Sequence, residues 1–171
     1  MSQYESVVVE YLRADMRGDK SLFLKLGCFI QIRDVQNPAR LGPSWYFPIV
    51  AADFHKEAIL ICEVSYSQSL GGLYKRIEGW SNHWHQLCEA LCHELNIPKT
   101  WPIRPWLFIP DDSIPRVVKK IDGVRSANPG VAFLPDPIIT PLEMVQPWKY
   151  NSLARRGEKS KPDTIPHAMK S

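Results

Sequence analysis

Trp45-Tyr46-Phe47-Pro48-Ile49-Val50-Ala51-Ala52-Asp53 and Ala58-Ile59-Leu60-Ile61-Cys62-Glu63-Val64-Ser65-Tyr66 are the two runs that decide the fold. Between them lies a short polar connection through His55, Lys56 and Glu57. Two apolar runs rich in β-branched and aromatic residues, joined this closely, predict an antiparallel hairpin. Glu63 stands out within it. A carboxylate in so apolar a strand needs a partner or a metal to offset its burial.

Working outward, Leu22 to Asp34 is rich in Leu, Phe and Ile and predicts a further strand, bent or bulged at Gly27. Pro38, Gly42 and Pro43 mark 36–44 as a loop. Ahead of these, Val7, Val8, Tyr11 and Leu12 recur at helical spacing, predicting a helix from Tyr4 to about Met16 that ends by Gly18. After the hairpin, Leu73, Ile77, Trp80, Trp84, Leu87, Leu91 and Leu95 form one apolar stripe of a long helix, closed by Asn96 and Pro98. A strand is expected at Trp106–Ile109. Asp112 or Ser113 should then cap a helix with Pro115 in its first turn and Gly123 as its stop. Val131–Leu134 predicts a fifth strand. Thr140-Pro141-Leu142-Glu143 has the form of a capping box, for a short helix to about Gln146. The order α-β-β-β-α-β-α-β implies a mixed sheet of about five strands with a central hairpin, flanked by helices.

At 171 residues, a single domain can bury a real core without metal or disulfide help. Hydrophobic residues make up 44% and charged residues 23%, which excludes a wholly disordered chain. No apolar run approaches the roughly 20 residues of a membrane span, so no membrane is expected as partner. Met1-Ser2-Gln3-Tyr4-Glu5 lacks the basic and apolar regions of a signal peptide. Four cysteines make no secreted framework in a chain this long, and a cytoplasmic location is expected. The net charge of +3 lies in residues 151–171, which hold five basic and two acidic residues. Residues 1–150 are neutral, with 16 of each sign. The expectation is one domain over 1–150 and a basic, flexible tail over 151–171.

The segment from Ile59 to Ser67, followed by Leu70, Leu73, Tyr74 and Lys75, resembles the core of the PD-(D/E)XK (restriction-endonuclease-like) nuclease superfamily. The order of elements from Tyr4 to Leu134 is similar as well. In that family a hairpin strand carries Glu-x-Lys to a metal, the preceding strand supplies an Asp, and a first-helix Glu often completes the site. The resemblance implies Glu63 as the Glu and Asp53 as a candidate Asp, both toward Mg²⁺. Such an ion takes oxygen ligands and activates water for phosphodiester hydrolysis. It also implies Glu10, or its competitor Glu5, on the first helix. Ser65 stands where the Lys belongs and carries no charge, so Lys75 on the next helix is the candidate relocated cation.

Strand register tests that set. With the turn centred on His55-Lys56, Glu63 lies across from about Pro48. Asp53 is then roughly 16 Å along the hairpin, at about 3.3 Å per residue, and on the opposite face. With the turn centred on Glu57-Ala58, Asp53 and Glu63 become cross-strand neighbours. The apolar run Ala58–Cys62 favours the first. The resulting reading is a catalytically impaired nuclease-like protein that binds nucleic acid or protein. The alternative is an active Mg²⁺-dependent nuclease using Asp53, Glu63 and Lys75.

Two further features have plainer readings. His85, Cys88 and Cys92 share one flank of the long helix, but one straight helix cannot wrap a zinc ion, so the two cysteines read as thiols bordering the core. The six tryptophans include Trp80 and Trp84 on the core stripe and suit packing better than base stacking.

Overall fold

A computed structural model describes residues 2–15, 22–34, 36–37, 39–67, 69–127 and 134–145. The basic segment 151–171 and Trp148 lie outside them. The sequence alternates helix and strand as expected. Helix α1 spans Gln3–Asp15, followed by β1 (Leu22–Arg33), β2 (Leu41–Asp53) and β3 (Ala58–Val64). Then come α2 (Gly71–Leu95), β4 (Ile103–Ile109), α3 (Ile114–Ala127) and β5 (Ile138–Pro141).

The five strands form one mixed sheet in chain order. β1, β2 and β3 are an antiparallel meander, while β4 runs parallel to β3 and β5 parallel to β4. The crossover between β3 and β4 is α2, whose Leu73, Ile77, Trp80, Trp84, Leu87 and Leu91 are buried on the sheet. Asn96 ends this helix in the left-handed conformation (φ 52°), and its N–H returns to the Cys92 and His93 carbonyls. Val117, Ile121 and Val124 of α3 share the same core. The opposite face is covered by Val8, Val9 and Leu12 of α1, with Leu142 and Val145.

The meander changes faces halfway. Trp45 and Phe47 point toward α2, yet Ile49 and Ala51 point toward α1. In β1, Leu22 and Leu24 pack on the α1 side, whereas Cys28, Ile30 and Ile32 pack on the α2 side. The register between the two strands does not slip at this level. The swap falls at Gly27 and Pro48, which the pairing sets opposite each other. Gly27 has φ +67°, a conformation glycine adopts without the penalty a Cβ brings. A Cβ there would also come within 3.2 Å of the Tyr46 hydroxyl. Pro48 has no N–H to give to the ladder. The bend expected at Gly27 is therefore real, and it takes the form of a paired face swap.

Four expectations are corrected. The helix does not stop at Gly123 but runs to Ala127, because Val124 still faces the core. The fifth strand is Ile138–Pro141. Leu134 is buried but not in a strand, and 131–133 lie outside the described residues. A short 3₁₀ turn does form at Leu142–Met144, but without the capping box: Thr140 and Pro141 belong to β5, and the Glu143 carboxylate accepts the Asp111 N–H (3.1 Å). β2 begins at Leu41, earlier than the turn residues suggested.

Candidate functional site

The β2–β3 hairpin has the first of the two registers. Asp53 pairs with Ala58 and Ile49 with Cys62, so one step further sets Pro48 opposite Glu63. Asp53 and Glu63 thus stand at opposite ends of the hairpin, roughly 16 Å apart at about 3.3 Å per residue. They also face opposite sides. Glu63 alternates with Ile59 and Ile61 toward α2, and Asp53 with Ile49 and Ala51 toward α1.

Asp53 is 3% exposed and serves its own turn. Its Oδ1 accepts the N–H groups of His55 (3.1 Å) and Lys56 (2.9 Å), and Lys56 Nζ lies 3.8 Å from Oδ2. This Asx-type arrangement holds the chain through Glu57, which takes a positive φ of 50°.

Glu63 is 5% exposed and sits one residue from the end of β3. Its carboxylate accepts a hydrogen bond from the Arg76 guanidinium and forms an ion pair with it. Arg76 lies in the second turn of α2 and also reaches toward the Tyr46 carbonyl at 3.5 Å. Burial, offset only in part by Arg76, leaves the Glu63 carboxyl raised to about 7. The negative charge of Glu5 pushes it further up. Glu5 is therefore the first-helix acid that bears on Glu63. It also forms the reciprocal cap of α1: its carboxylate accepts the Ser2 N–H (2.6 Å), and its own N–H donates to the Ser2 hydroxyl (3.2 Å). Glu10 lies on the exposed side of α1, 3.6 Å from Arg13.

The remaining candidates fall around this pair. Ser65 is half-buried, and its N–H donates to the Phe108 carbonyl (3.0 Å), keeping the chain on the sheet beyond β3. Tyr66, next along, stacks on Tyr4 of α1 at 4.3 Å. Lys75 is exposed. The cation that meets Glu63 is its neighbour, Arg76, which the sequence reading missed. The stripe itself held the signal. Arg76 is one residue from Ile77 and three from Leu73, at the border of the buried face. Lys75 is two residues from Ile77, on the far side of the helix.

The chemistry of this set is that of a shielded ion pair more than of an Mg²⁺ centre. Mg²⁺ wants oxygen ligands and near-octahedral space. Here one carboxylate is shared with a guanidinium, the second acid is tied to a helix cap, and Asp53 is at the far end of the hairpin. Among the described residues, no three His, Cys, Asp or Glu side chains come together as a metal-binding group. The α2 flank is similar: His85 is exposed and 3.8 Å from Glu89, and Cys92 Sγ lies 3.9 Å from the Pro98 carbonyl. Burial pushes the Cys88 thiol up to about 12, away from the thiolate a zinc ion needs.

No protein-family model matches the chain, and no curated protein matches it.

Proposed function

We propose that this chain is a restriction-endonuclease-like core that acts as a binding module for nucleic acid or protein, without metal-dependent cleavage. The observation that carries the reading is the Glu63–Arg76 ion pair. It occupies the acid that the resemblance assigns to Mg²⁺, while Asp53 is spent on the turn. The order of elements and the mixed sheet support the fold assignment. The four cysteines are free thiols, which fits a reducing cytoplasm. No described helix is long and apolar enough to cross a membrane.

The test is cleavage of single- and double-stranded DNA and RNA by purified protein with Mg²⁺ or Mn²⁺. The expected result is no cleavage. Robust cleavage that Glu63→Gln abolishes would overturn the reading. It would promote the second one, an active Mg²⁺-dependent nuclease.

A further inference from the structure

On the α2 face of the sheet, away from Glu63, helices α2 and α3 leave an open groove of about 780 Å³. Tyr74, Glu78 and Asn82 form its α2 wall at offsets of four, one flank of the helix. Arg116, Lys119 and Lys120 form the first half of its α3 wall, and Gly123, Val124 and Ala127 the second. The α2 wall is about 12 Å long and the α3 wall about 16 Å, at about 1.5 Å per helical residue.

Charge is what marks this groove. Residues 1–150 hold equal numbers of acids and bases, yet among the described residues the groove is lined by three basic side chains and one acidic one, Glu78. Asp122 of α3 is not among its lining residues. Lys120 is the bridge across: it is ion-paired with Glu78 and lies 5.7 Å from the Tyr74 ring centroid. Arg116 donates to the Ser113 hydroxyl (3.1 Å), which fixes its guanidinium at the mouth of the groove. The turn Asp111–Ser113 leads directly into α3, and its Asp112 carboxylate accepts a hydrogen bond from the Ser113 hydroxyl (3.1 Å) that Arg116 donates to, so Arg116 is anchored beside an acid at the helix start. A groove that gathers like charges in a neutral body, with an aromatic ring and an amide beside them, has the make-up of a phosphate-recognising site.

We infer that the α2–α3 groove binds the phosphate groups of a nucleotide, free or carried in a single strand. This names a ligand class for the binding module proposed above and rests on that reading. Phosphate oxygens take the hydrogen bonds of Arg116 and Lys119 and compete with Glu78 for Lys120. Drawing Lys120 toward phosphate uncovers the Tyr74 ring it lies over, which a base can then stack on. Glu78 is then an internal competitor: it holds Lys120 in place when no ligand is bound and lowers affinity when one is.

The test uses the full chain and three probes at low salt: a labelled oligothymidylate, ATP and inorganic tripolyphosphate. The Lys119→Ala/Lys120→Ala protein is expected to lose about tenfold in affinity. Its salt slope should flatten by about 1.4 if the ligand is a strand. Glu78→Gln is expected to tighten binding about threefold, a gain that damage to the fold does not produce. Lys99→Ala, an exposed cation paired with Glu89 elsewhere, should bind as the parent does. Tighter binding of oligothymidylate than of ATP assigns the phosphates to a strand. Equal competition by ATP assigns them to a free nucleotide. Binding unchanged by the groove variants overturns the inference and leaves the binding-module reading standing, as does binding of none of the three probes. Metal-dependent cleavage would break that reading without touching the groove.

Discussion

The two ends of the β2–β3 hairpin bury the same functional group in different company. At the closed end, Asp53 is satisfied by backbone amides two and three residues away. At the open end, Glu63 is satisfied by a guanidinium thirteen residues away on another element. A carboxylate met by its own turn is part of the fold's local wiring. A carboxylate met by a half-exposed arginine from across the structure stays within reach of solvent and of charge. The second kind is a place where chemistry or regulation can act, and the first is not.

Arg76→Ala should have the largest effect. It leaves Glu63 buried without its cation, and breaking such a pair costs about 3 kcal/mol. The loss should be full near pH 8 and shrink toward pH 5, where the carboxyl is protonated. Denaturant unfolding at both pH values measures it, and an equal loss at both would place the role of Arg76 in packing.

Asp53→Ala should come next, at about 2 kcal/mol, because two turn amides lose their acceptor. Asp53→Asn keeps an acceptor oxygen and should recover about half of that. If the two variants unfold alike, the amide contacts are not what matters at this end.

The third effect is in pH dependence. Burial raises the folded-state value of Glu63 to about 7 from an ordinary 4.5. Between those values the folded chain holds a proton that the unfolded chain has released. Stability from this group is therefore fully present below about 4.5 and is lost as pH rises through about 7. Glu63→Gln should flatten the slope of unfolding free energy across that window. A slope unchanged in the variant would show that other groups produce it.

The smallest expected effect is on activity. Ser65→Lys restores the cation of the resemblance but not the Asp, so it should remain without cleavage. The Pro48→Asp addition is then the informative step. Pro48 faces Glu63 across the hairpin and also marks the face swap, so strand pairing must be checked alongside by amide exchange.

Much of this contrast was legible in the sequence. The polar apex at His55–Glu57 and the apolar run after it set the register, and register alone separates Asp53 from Glu63. The Trp80/Trp84 stripe likewise located the long helix and the face it covers. What escaped depended on contacts between distant elements. Arg76 is marked only by its place beside Ile77, and that place gains meaning once α2 is set against the end of β3. Gly123 read as a stop because glycine costs about 1 kcal/mol in a helix; burial of Val124 one residue later offsets that cost. The four residues of β5 are too few for periodicity to separate them from Val131–Leu134, and only pairing with β4 decides. The capping-box letters at Thr140–Glu143 were sound chemistry for a helix start, but Glu143 is committed to Asp111 instead.

Glu63 is held by Arg76, and a metal ion is not expected to displace it. Paramagnetic Mn²⁺ titrated into the isotope-labelled protein tests it most directly, with amide signals of Cys62, Glu63, Val64 and Arg76 as reporters. The account predicts that these signals keep their line widths at millimolar Mn²⁺, apart from uniform broadening shared with the whole chain. Selective broadening centred on Glu63, lost in Glu63→Gln, would contradict it.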